Sequence, residues 1–253
     1  DNFIKGLQKY FANHAFKNTV LSDLLVELEA TSGRDLSSWV STWLQTSGVN
    51  TLRPVIESNG DSYKSISIKQ EAPKIPAGSS ELRPHRAAVG LYDLKDGQLL
   101  RRKSVELDIT GDLTQVKELS GEKLADLILI NDHDLTYAKI RFDARSIATL
   151  KAHLGKLDDG LSRALCWSAA WDMFRDAELS ATDFIEIALT GLAGEDDITT
   201  VTALMSQLNT AVEIYAADKN RDSLREKVAG ALLSLLKSAK AGSDHQLQFA
   251  RSF

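Results

Sequence analysis

Residues 63–70 read YKSISIKQ, a stretch in which apolar and polar residues alternate. A period of two belongs to a strand with one face on a core and one in water. The same alternation returns at Ala87–Leu91, Val105–Ile109 and Tyr137–Phe142, while LILIN at 127–131 is a continuous apolar run that suits a strand buried on both faces. Between these runs stand turn signals: Ser58-Asn59-Gly60-Asp61, Lys95-Asp96-Gly97 and Gly111-Asp112. Pro54, Pro73, Pro76 and Pro84 all fall in this region, where strand edges and loops tolerate them. Short strands with hairpin signals and no helical pattern between them predict an antiparallel β-sandwich over residues 51–142.

On both flanks the period is helical. Phe3, Leu7, Tyr10 and Phe11 make one stripe, and Leu21, Leu24, Leu25 and Leu28 a second that ends near Gly33. Asp35 is placed to cap a third helix, which presents Leu36, Trp39, Val40, Trp43 and Leu44 on one face and stops at Gly48. Its two indoles are expected in the core. From Asp143 to the end the pattern stays helical, through Ile147, Leu150 and Leu154, then Leu161, Leu165, Ala169 and Met173, then 184–192, 201–215 and 224–236. Short connections such as Gly194-Glu195-Asp196-Asp197 imply antiparallel neighbours, a bundle or an irregular solenoid. The fold class is therefore α+β in three parts, 1–50, 51–142 and 143–253.

The 253 residues carry a net charge of −5, which gives no electrostatic reason to expect nucleic acid or an anionic bilayer. No apolar run approaches the ~20 residues of a membrane span. A single cysteine, Cys166, excludes an internal disulfide and fits a reducing cytoplasm. In RALCWSAAW it reads as a small core residue rather than a nucleophile, having no histidine near it in sequence.

Reactive constellations are hard to find. None of His14, His85, His133, His153 and His245 is followed by Glu, and no pair has the close spacing of a local metal clamp. Asn131-Asp132-His133-Asp134 gathers oxygen ligands and an imidazole between two strands, but Asn and Asp favour turns for their own local hydrogen bonds, so a polar hairpin turn is expected. Arg83-Pro84-His85-Arg86 and Arg101-Arg102-Lys103 read as solvated sheet edges. No Gly-rich phosphate loop, Gly-x-Ser-x-Gly elbow or metal-spaced cysteine set occurs. No catalytic, cofactor-binding or metal residue is assigned.

One long run is nonetheless specific. Gly6-Leu7 with Tyr10-Phe11, Asp23-Leu24 with Leu28-Glu29, Ser32-Gly33 with Asp35-Leu36 and Trp39, and Trp43-Leu44 with Gly48 follow the order G-L-x-x-Y-F, D-L-x-x-x-L-E, S-G-x-D-L-x-x-W, W-L-x-x-x-G. That run resembles the segment of the aminopeptidase N family of zinc metallopeptidases, the gluzincins, that follows the metal site and ends the thermolysin-like catalytic domain. LILINDHDLTYAKIRFD resembles the family's junction between β-sandwich and helical domain, and RALCWSAAWDMFRDAELSATDF its actinobacterial branch. The resemblance implies a parent that removes N-terminal residues from peptides. Its zinc ligands, catalytic glutamate, proton-donating tyrosine and amine-binding Gly-x-Met-Glu-Asn strand match no position here, and Tyr10 is given no catalytic role. With Asp1 in place of a methionine, the expectation is an inactive fragment that scaffolds the missing catalytic domain and covers its active site. Phe3, Leu7 and Phe11 at one end, and Leu247, Phe249 and Phe253 at the other, would be left uncovered and favour self-association. The rival expectation is a stand-alone protein-interaction module, a sandwich fused to helical repeats.

Overall fold

The computed structural model describes residues 1–73 and 80–253, so Pro76 lies outside the described residues. The chain divides into two compact units, Asp1–Gly48 with Pro73–Arg83, and Val49–Ala72 with Pro84–Phe253.

In the first unit three helices follow one another, α1 (Asn2–His14), α2 (Leu21–Ser32) and α3 (Ser37–Leu44). Gly6 is where α1 meets α2: a methyl group there would stand 2.8 Å from Leu28 Cδ2 and 2.9 Å from Thr31 Oγ1. The glycine of the opening motif is thus a packing requirement, since any side chain would force the helices apart. Gly33 ends α2 in the left-handed region at φ 67°, its N–H on Glu29 O at 2.9 Å. The Asp35 carboxylate accepts the Ser37 N–H at 2.8 Å, as a helix start requires.

Three expectations for this unit need correction. The third helix stops at Leu44, four residues before Gly48. Arg83 closes its C-terminal end, donating through Nε to Thr42 O, a carbonyl of the last turn, at 3.0 Å, and through Nη2 to Thr46 Oγ1 at 2.7 Å and Ser47 O at 3.4 Å just beyond the helix. A cation at a helix C-terminus meets both the orphan carbonyls and the dipole. Arg83 is therefore no solvated edge residue; it is 3% exposed and lies over the Trp43 ring at 5.6 Å. Trp39, expected in the core, is 45% exposed, because only Val40 of this short helix is buried.

The second unit holds seven strands: β1 (Thr51–Asn59), β2 (Ser62–Glu71), β3 (His85–Lys95), β4 (Gln98–Ile109), β5 (Leu113–Gln115), β6 (Leu127–Ile130) and β7 (Lys139–Ile140). They form a four-stranded sheet in the order β5-β2-β1-β7 and a three-stranded sheet in the order β4-β3-β6. The hairpins close where the turn residues stand. Asp96 and Gly97 both have positive φ, 52° and 78°, between the paired Lys95 and Gln98. That is the primed geometry whose twist matches the strands it joins.

Two strand readings change. β3 lies between two partners and is buried on both faces from Ala87 to Tyr92, so it has no wet face. YAKIRF contributes only Lys139 and Ile140 as strand, and these pair in parallel with Thr51 and Leu52. The cause is the segment before it, which carries the chain from β6 in one sheet to β7 in the other instead of turning back on β6.

Six helices follow: α4 (Ala144–His153), α5 (Gly160–Arg175), α6 (Ala181–Leu192), α7 (Ile198–Thr210), α8 (Asp218–Ser238) and α9 (Asp244–Ser252), with a π-helical turn over Ala211–Tyr215 after α7. Asp143, Asp159, Ser180, Asp197 and Ser243 each cap the helix that they precede. On α5, Leu161 is exposed and the core is met instead by Cys166, Trp167, Ala170, Met173 and Phe174. Trp167 leans on Gly191 of α6, where an added methyl would stand 2.4 Å from Cζ2. Phe249, expected at a bare end, is buried at 4% exposure, whereas Leu247 and Phe253 beside it are open. In the first unit Phe3 and Phe11 are exposed, as expected, and Leu7 is half-buried.

Candidate functional site

The densest chemistry among the described residues surrounds Asp132. The segment after β6 holds Asn131 and Asp134 at φ 64° and 53°, conformations that Asn and Asp tolerate better than other side chains. Asn131 locks the segment by donating Nδ2 to Thr136 O at 2.9 Å and accepting the Thr136 N–H at 3.1 Å. The polar-turn reading holds for these two, although the turn links two sheets and is not a hairpin.

Asp132 departs from that reading. Its carboxylate is fully buried and accepts from the Tyr92 hydroxyl, from Arg101 Nη1 at 2.9 Å and from Ser162 Oγ at 3.4 Å. Burial, and then the bond to Asp132, push the Tyr92 phenol well above its ordinary value. Ser162 also bonds Asp159, whose carboxyl is held below its usual range by that hydroxyl and by the Ser162 N–H. The cluster ties β3, β4 and the start of α5 together. Gly90 in the middle of β3 was the signal in the sequence, because an isolated glycine inside a strand marks a close approach.

The group is not arranged for nucleophilic catalysis. A serine nucleophile needs a base within hydrogen-bond reach, itself oriented by a third group. Here Ser162 meets carboxylates, and the nearest imidazole, His133, lies beyond Asp132 with Nε2 at 3.8 Å from Oδ2. Ser162 is also wholly buried, out of reach of substrate.

The remaining singled-out residues are scattered. His85 is buried, with Nδ1 on Thr136 Oγ1 at 2.7 Å, and His245 faces Glu195 O at 3.0 Å. The His14 ring lies 5.5 Å from that of Tyr10 and tilted against it, and His153 ends α4. Among the described residues no group of three or more His, Cys, Asp or Glu converges on a point, so they do not fit a zinc site. Cys166 is buried in α5, and burial drives its thiol far up, away from the reactive thiolate. Arg86 pairs across the strands with Glu106 and Asp108; Arg102 pairs with Asp93 and Glu122, and Lys103 with Glu122. No described helix is long and apolar enough to cross a membrane.

A second charged group, which the sequence reading missed, joins the β1/β7 edge to the loop after α5. Arg141 is 2% exposed in its side chain and binds Asp176 and, at 2.9 Å, Glu178. Arg53 reaches Glu178 at 3.0 Å and Glu71 at 3.1 Å, and Lys139 holds Asp176 at 2.8 Å. Burial alone would raise the carboxyls of Glu71, Asp176 and Glu178, but these cations outweigh it and hold all three below their ordinary values. A depressed folded-state pKa gives stability that is present above the unfolded values, 3.8 for Asp and 4.5 for Glu, and lost as pH falls through the folded ones. Urea unfolding is therefore expected to show stability falling below about pH 4.5, with a shallower fall in Arg141→Met. An unchanged acid limb in that variant would refute the assignment. Asp172 runs the other way. Burial raises its carboxyl against the opposing pull of Lys139 and Arg141, so its charge costs stability at neutral pH and Asp172→Asn is expected to fold at least as stably.

Residues 127–253 match the family model described as ERAP1-like C-terminal domain. Aminopeptidase N of Streptomyces lividans is 50% identical over 256 residues, covering 99% of this chain and 30% of that protein. Aminopeptidase M1-B of rice is 28% identical over 156 residues, covering 60% of this chain and 17% of the relative, and Aminopeptidase M1 of Arabidopsis thaliana is 27% identical over 166 residues, covering 64% and 17%. The chain thus spans about a third or less of the length of the curated relatives it matches. A family model over half of the chain, and a bacterial relative alike along nearly all of it, agree: the chain belongs to the aminopeptidase N family, of which it represents the part that carries the ERAP1-like C-terminal domain.

Proposed function

We propose that the chain is the non-catalytic C-terminal portion of a zinc-dependent aminopeptidase that removes N-terminal residues from peptides in the cytoplasm. The observation that carries this reading is the 50% identity to an aminopeptidase N along 99% of the chain. In this reading residues 1–50 end the catalytic domain, the seven strands of 51–142 form a β-sandwich, and the helices of 143–253 begin an irregular solenoid that covers the active site. Zinc and the catalytic groups belong to the rest of the enzyme. What the present residues supply is a frame: the buried Asp132 cluster and the Arg141 network fix strands to helices, and a rigid frame is what positions a site and restricts entry to it.

The test compares this chain with a longer one that includes the reading frame before Asp1. The longer protein is expected to release p-nitroaniline from an aminoacyl anilide and to lose that activity on chelation, while Asp1–Phe253 alone is inactive and holds no stoichiometric zinc. Hydrolysis by the short chain, or a start codon immediately before Asp1, would overturn it.

The same reading extends to association. Phe3, Ile4, Phe11, Val20, Val26, Trp39 and Leu44 of the first unit are all exposed, and exposed apolar side chains favour association. The isolated chain is expected to self-associate through this unit. Sedimentation should show reversible dimers or larger species that Phe3→Ser/Phe11→Ser weakens; a strict monomer at high concentration would refute it.

A further inference from the structure

β7 is the edge of its sheet, and a groove of about 450 Å3 opens beside it. One wall is the strand segment Ala138–Ile140; the other is a stripe of α5 at helical spacing, Leu161, Ala164, Leu165, Ser168 and Asp172. The N–H groups of Lys139 and Arg141 point to β1, where they bond Asn50 O and Leu52 O, each at 2.9 Å. By the two-residue period of a strand, the main-chain groups of Ala138 and Ile140 face away from β1, toward the side on which a further strand would add; the Ile140 carbonyl already accepts from Arg141 Nη1 at 3.3 Å, which leaves Ala138 with both groups to offer. Tyr137 at 75% exposure and Leu161 at 47% flank the groove with apolar surface.

Its lining carries one cation, Lys139, and two carboxylates, Asp134 and Asp172. Lys139 is occupied by both oxygens of Asp176, at 2.8 Å each, and Arg141 by Asp176 and Glu178. Asp172, on the groove wall, receives no side-chain hydrogen bond among the described residues, and Asp134 stands at the other end. A carboxylate drawn partly out of water with no direct partner is complementary to an incoming cation.

We propose that this groove binds an extended peptide segment, which adds to the open edge of β7 through main-chain hydrogen bonds to Ala138 and places a lysine or arginine side chain against Asp172. Strand addition supplies affinity from the backbone, and the pocket beside the edge selects the side chain. The site stands apart from the aminopeptidase reading, because it uses only residues of this chain and requires no hydrolysis.

The test titrates 15N-labelled Asp1–Phe253 with the capped pentapeptide Ac-Thr-Val-Lys-Val-Thr-NH2, with its glutamate counterpart, and with a form N-methylated along one edge. The lysine peptide is expected to shift the Ala138 and Ile140 amide signals saturably and to bind at least tenfold more tightly than the glutamate peptide; the N-methylated form should bind at least tenfold more weakly. Asp172→Asn should abolish the preference for lysine. Ser168→Trp, at an exposed position that leaves the core intact, should fill the groove and remove saturation. No saturation up to about 5 mM peptide, equal affinity for the lysine and glutamate peptides, or indifference to N-methylation would each overturn the proposal.

Discussion

Replacing Gly90 by alanine is expected to cost about 4 kcal/mol of stability, enough to remove a large share of the 5–15 kcal/mol that holds a domain folded. An added methyl would stand 2.5 Å from Asp132 Oδ2, 2.7 Å from its Cγ and 2.9 Å from Tyr92 Cε2. The carboxylate cannot retreat freely, because Tyr92, Arg101 and Ser162 hold it from three sides. Overpacking contributes about 1–3 kcal/mol, and the hydrogen bonds unmade when Asp132 shifts contribute a similar amount. Gly230→Ala is the control. Gly230 lies within α8 with nothing within 4 Å of the new methyl, so there alanine is expected to stabilise by about 0.5–1 kcal/mol. If urea midpoints moved alike in the two variants, the Asp132 cluster would not be the restraint argued above.

Phe184→Ala is the second large effect, expected at about 3–5 kcal/mol. Phe184 is fully buried in α6, stacked on Phe174 at 5.1 Å with the rings 9° from parallel, and 5.3 Å from Trp171. Truncation leaves a void between α5 and α6 that neither helix can close, because Gly191 already sits against Trp167 about two turns further on. Ile185→Val, also at a fully buried site, removes one methylene and should cost about 0.5–1.5 kcal/mol. A loss under about 1 kcal/mol for Phe184→Ala would mean that the helical layer repacks, against this account.

How far the sequence disclosed these features depended on how local their causes are. Asp96-Gly97 announced a hairpin because the turn needs positive φ at those two positions and at no distant one. Asp35 and Asp143 announced helix starts for the same reason. Asp132 looked like its neighbours in a polar turn, and only contacts with Tyr92, Arg101 and Ser162, 30 to 40 residues away, make it a buried anchor. Arg83 likewise looked like one cation in a basic run until Thr42, Thr46 and Ser47 came beside it. YAKIRF had the alternation of a strand, yet its partner and direction were set by where the preceding turn delivers the chain. The groove beside β7 could not be read from the sequence, since its walls come from segments with no shared motif.

The two-rung parallel pairing of β7 with β1 has a consequence in time. Lys139 and Ile140 leave the ribosome about ninety residues after Thr51 and Leu52, a delay of roughly 5–20 s at ordinary rates of synthesis. During that interval β1 has β2 on one side and nothing on the other. Even afterwards β7 covers only Thr51 and Leu52 of that side. The next residues are Arg53 and Pro54, a bulky charge and a residue without an N–H, and both resist pairing with a stray strand. They act as gatekeepers for a nascent chain whose sheet closes late, and the same two residues that look out of place in a strand protect it from aggregation while it waits.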